Sequence, residues 1–92
     1  MTHIQAFHST RGGYDFLGLR RADRGGYEIV YDDGVARRMV WRVATRDATP
    51  RHIGEALRLA VDSIRVVPAL HAELRKRAIA IESIGPGGPA RL

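Results

Sequence analysis

Cysteine is absent from this chain. Its absence excludes disulfides, thiolate nucleophiles and thiolate metal ligands together. Lysine is nearly absent too: Lys76 stands alone against fourteen arginines. No apolar run approaches the roughly 20 residues that a membrane-spanning helix needs. The first ten residues have neither the basic nor the apolar region of a secretory signal. A small domain without disulfide staples suits a reducing compartment, so a cytoplasmic protein without membrane contact is expected.

What remains is ordinary globular composition: 92 residues, 45% hydrophobic and 27% charged. That length makes one domain with a modest core, burying about 60–65% of the surface its unfolded chain exposes. The net charge of +5 admits an anionic partner, either nucleic acid or an acidic protein surface. The charges are dispersed, however. Residues 1–48 hold 8 Arg against 6 Asp or Glu, and residues 49–92 hold 7 basic against 4 acidic residues.

A short repeat organises the first half. Arg11-Gly12-Gly13-Tyr14-Asp15-Phe16-Leu17 recurs as Arg24-Gly25-Gly26-Tyr27-Glu28-Ile29-Val30. Each Gly-Gly is a turn signal followed by a β-prone run, so the repeat reads as two loops that each launch a strand. Strands are expected over 3–9, 14–21, 27–32 and 35–45, with a tight hairpin turn at Asp32-Asp33-Gly34. Alternation places Leu17, Leu19, Ile29, Tyr31, Met39, Trp41 and Val43 on a core face, with Val35 in the same phase. The other face carries Tyr14, Phe16, Glu28, Arg38 and Arg42. Arginines beside aromatics on an open sheet can stack bases, which makes Arg20, Arg21, Arg37, Arg38, Arg42, Tyr14 and Phe16 candidate contacts for nucleic acid or an acidic partner. The competing reading is a solvated face with cross-strand Glu–Arg pairs.

The second half is helical. Thr49 is an N-cap and Pro50 takes the first helical position. An apolar stripe then runs through Ile53, Leu57, Ala60, Ile64, Val67, His71, Leu74, Ala78 and Ile81 at alternating spacings of four and three. Pro68 interrupts it, while residues 64–82 contain no Gly, Asn or Asp to make a helical hairpin turn. One kinked helix, or two helices joined at an angle, is expected. A helix from Pro50 to Glu82 would be about 50 Å long, and a seven-residue strand only about 23 Å. The excess would expose Val67, Leu70, His71, Leu74, Ala78 and Ile81, a surface that a second copy of the chain could cover. The alternative is a sharp break at Pro68 that folds the second segment back onto the sheet.

The fold class is therefore α+β: a three- to four-stranded antiparallel sheet packed by one kinked or two consecutive helices. Residues 1–84 form the single domain and 85–92 a flexible Gly/Pro tail. Candidate chemistry is sparse. His3, His8, His52 and His71 have no metal-ligand spacing, and no zinc, phosphate-loop or nucleophile motif occurs. No catalytic residue, metal or cofactor is nominated, and the chain is expected not to be an enzyme.

The strand bearing Trp41, followed by Ala44-Thr45, Thr49-Pro50 and Glu55-Ala56-Leu57, resembles small phage and mobile-element proteins, anti-CRISPR proteins among them, over residues 27–66. The resemblance implies a non-catalytic inhibitor or accessory factor that blocks a host complex by protein–protein contact, and the apolar stripe adds the expectation that it acts as a homodimer. It carries no functional residue over.

Overall fold

The computed structural model describes residues 3–85. Five strands form one antiparallel meander in chain order: β1 (His3–His8), β2 (Phe16–Arg21), β3 (Tyr27–Asp32), β4 (Arg38–Val43) and β5 (Ile81–Ser83). Two helices, α1 (Pro50–Ala60) and α2 (Val66–Lys76), lie between β4 and β5. They cover one face of the sheet, and the extents of 34 × 34 × 21 Å match two layers.

The alternation of the strands dictates the core. Leu17 stands opposite Tyr31, Leu19 opposite Ile29, and Ile29 opposite Trp41. These side chains, with Val43, meet Ile53, Ala56, Leu57 and Ala60 of α1 and Val66, Leu70 and Leu74 of α2. Met39 packs against the same cluster at its margin. The expected core face is thus the face the helices cover. Val35 departs from it: the turn after β3 spans Asp33 to Arg37, wider than expected, and Val35 projects from its tip.

The helical half has the two consecutive helices expected, in the folded-back arrangement given as the alternative, with the break placed elsewhere. The chain breaks at 61–65, before Pro68, and α2 runs back beside α1. The turn chemistry lies just outside the stretch that lacks it. The Asp62 carboxylate accepts from Thr10 N–H and from Thr10 Oγ1, and Ser63 Oγ accepts from Arg65 N–H at 3.2 Å. Pro68 is the third residue of α2, where no intrahelical partner is lost. The inward face of α2 is reset to Val66, Leu70 and Leu74.

No apolar overhang results. Leu70 and Leu74 are fully covered by the chain's own sheet and α1. Val67 is half-buried, and His71 packs edge-on against Trp41 with ring centroids 5.7 Å apart. Ala78 leaves the helix with φ 57°, and Ile81 belongs to β5 rather than to a helix. The expected stripe across the helical half was a sum of three separate segments.

β5 was not expected as a strand. Thr45 Oγ1 accepts from Ala80 N–H at 2.7 Å and sets the chain beside β4. Pairing continues past Ser83, since Gly85 O accepts from Val40 N–H. The rest of the expected tail, 86–92, lies outside the described residues. Among the described residues, no helix is long and apolar enough to cross a membrane.

Candidate protein-binding surface

Antiparallel order gathers three connections at one end of the molecule: 9–15 between β1 and β2, 33–37 between β3 and β4, and 61–65 between the helices. Each is braced by an aspartate. Asp33 Oδ1 accepts from the N–H groups of Val35, Ala36 and Arg37 at 2.9–3.1 Å. Asp62 ties the first connection to the third through Thr10, at 2.8 and 2.9 Å. Asp15 accepts from the Tyr31 hydroxyl at 2.6 Å. Those backbone donors hold the Asp33 and Asp62 carboxyls below the usual aspartate range. Burial, then the bond to Asp15, pushes the Tyr31 hydroxyl up to about 12.

The braced loops present large apolar side chains to water. Tyr14 is 79% exposed, Val35 84% and Ile64 92%. Each comes from a different connection, and contact binds the connections together. A Cβ at Gly34, whose φ is +80°, would stand 2.5 Å from Tyr14 Cβ, so the tyrosine leans on the second connection. Ile64 and Asp15 both line two adjoining hollows of about 300 and 240 Å³. Arg37, Arg65, Val67 and Pro68 also line the larger, Arg11 and Gly13 the smaller, and Tyr14 and Val35 stand outside both.

The residues expected to meet an anionic partner are divided by the fold. Arg20 and Arg42 share the open sheet face, with Glu28 between them. Arg20 pairs with Glu28 at 2.9 Å and Arg42 with Glu82 at 3.1 Å. This is the cross-strand charge pairing of a solvated face. Arg38 is on the same face, opposite Asp32. Phe16 is wedged between His3 and His8, with ring centroids 5.2 and 5.0 Å away. Burial beneath that ring, with Arg20 and Arg38 nearby, lowers the pKa of His3. Arg21 lies over the Tyr27 ring at 5.5 Å. Arg37 and Tyr14 are at the loop end.

Sequence reasoning named Tyr14 and Arg37, but as part of the arginine and aromatic set of the sheet, and missed Val35 and Ile64. Both sit in phase with apolar patterns that were read as regular structure. The available signal was the turn chemistry of Asp33 and of Asp62-Ser63, which removes each from its element. Among the described residues, no group of three or more His, Cys, Asp or Glu is placed to hold a metal. No family model matches the chain, and no curated protein or solved structure shows similarity to it.

Proposed function

We propose that this chain is a non-catalytic binding protein that engages a protein partner through its loop end. The observation that carries this reading is the exposure of Tyr14, Val35 and Ile64, one on each of three braced connections at the same end of the molecule. Large apolar side chains left in water are the usual core of an interface, and here arginines and aspartates together surround them. The mode agrees with the inhibitor or accessory role implied by the layout of residues 27–66. The other reading, nucleic acid on the arginine-bearing sheet face, has less support. Two of its arginines are engaged by carboxylates and its aromatic is enclosed by histidines.

A photoreactive residue placed at Ile64, with a control at Leu59 on the helix surface, tests the proposal in the native host cell. A discrete covalent protein adduct is expected from position 64 and not from 59. It should vanish when Tyr14 and Val35 are changed to serine. Equal labelling from both positions, or none from 64, would refute the reading.

A further inference from the structure

The two edges of the sheet are built differently. β5 closes one side with three residues, one of them the charged Glu82. A short, charged strand is a poor template for further pairing. β1 closes the other side with six residues, His3-Ile4-Gln5-Ala6-Phe7-His8, among which there is no Asp, Glu, Lys, Arg or Pro. The other strands all carry charge: Arg20 and Arg21 on β2, Glu28 and Asp32 on β3, Arg38 and Arg42 on β4, and Glu82 on β5. The register of β1 shifts between His3 and Gln5, and from Gln5 to His8 it is regular. Among the described residues, nothing pairs with the outer side of β1.

The ladder fixes which backbone groups are free. Ser9 N–H donates to Asp15 O at 3.0 Å, so the backbone at Ser9 is directed to β2. Antiparallel pairing alternates direction from residue to residue. Phe7 and Gln5 therefore also face β2, and the N–H and C=O of Ala6 and His8 point away from it as an unpaired row. Another extended backbone matches such a row. We infer that β1 pairs antiparallel with β1 of a second copy about a twofold axis at Ala6, joining two five-stranded sheets into one. Three features select a copy of the chain. An axis at Ala6 sets its free N–H and C=O against the same groups of the second copy, so both bonds of one pair are made. The strand has no charge, so pairing with itself brings no like charges together. Opposed residues share a face, so both layers continue across the junction. Phe7 packs against the core and Gln5 against Gly54 of α1, and these two meet on the helix-covered side. Ala6, opposite Gly18, meets Ala6 on the open side. The two copies run in opposite directions, so their loop ends face opposite ways and stay free. The pairing does not rest on the proposed loop-end surface.

Sedimentation velocity of the full chain over a concentration series is the test, and a monomer–dimer equilibrium is expected. Ala6→Lys and Ala6→Glu should each be monomeric at concentrations where the unaltered chain is dimeric, since each sets two like charges across the axis. Their equimolar mixture should restore the dimer, because lysine then faces glutamate. Leu59→Lys, an equal charge change on the exposed surface of α1, should leave the dimer intact. Circular dichroism checks that each variant is folded, and a folding defect would not be repaired by mixing. An unaltered chain that stays monomeric throughout the series would overturn the inference. So would a dimer indifferent to both Ala6 substitutions, and its loss in Tyr14→Ser/Ile64→Ser instead would move the contact to the loop end. Two monomeric variants whose mixture also stays monomeric would overturn the twofold pairing at Ala6.

Discussion

Single side chains hold the loop end together, and Tyr31 shows how. Its ring belongs to the core under α2, while its hydroxyl reaches Asp15 at the surface. The folded state keeps that hydroxyl protonated up to about pH 12, against about 10 in an unfolded chain. Stability from this source is complete below about pH 10 and is lost as pH rises through that window. Tyr31→Phe should therefore lose about 1 kcal/mol at pH 8 and show a weaker decline between pH 10 and 12. Urea midpoints across that range check both. Asp33 and Asp62 work in the opposite direction. Their folded carboxyls titrate below the ordinary value near 3.8, so their bracing persists at mild acidity and fails only as pH falls below it.

At the level of elements, sequence and structure part company where a pattern crosses a break. Strand β3 and the inward phase of β2, β3 and β4 were legible, because a period of two with one buried face leaves no other register. Two helices were legible, but the continuous stripe was misread, because Ile53 to Ile81 keep heptad spacing by coincidence across a turn, a helix end and a strand. Ile64 kept the count but sits in the turn, and Leu70, off the stripe, is in the core. The candidate site was only partly legible for the same reason. It is assembled from three connections whose meeting depends on strand order and on α2 folding back. The two geometries differ in what core substitutions do. Leu70→Ala and Leu74→Ala should each cost about 2–5 kcal/mol, a loss that does not vary with protein concentration. A concentration-dependent loss would restore the shared-helix interface. Pro68→Ala should change little, since the proline fills a first-turn position without an N–H partner.

The whole molecule is polarised. One end carries the ion pairs of Arg20, Arg42 and Arg77, and the other carries braced loops and exposed apolar groups. Surface ion pairs contribute little to stability, about 0–1 kcal/mol each, so their chief effect is to quench charge on the sheet face. The fold also depends on its last described segment. A chain truncated after Ala80 would keep both helices but leave β4 at the edge beside Trp41 and Val43. Aggregation of that truncated chain at concentrations where the full chain stays dispersed is the expected result, read by light scattering.

The late arrival of β5 also sets an order of events. Thirty-seven residues separate Val43 from Ile81, so β4 can gain its outer partner only after the helical excursion has been synthesised and closed. A ribosome emits the meander first, with an unpaired and largely apolar edge. Local hairpins β1–β2, β2–β3 and β3–β4 can zip early, whereas the β4–β5 ladder must wait on the longest loop closure in the sheet. Speed of α1–α2 docking, rather than sheet stability, therefore decides how long each nascent chain stays adhesive to its neighbours.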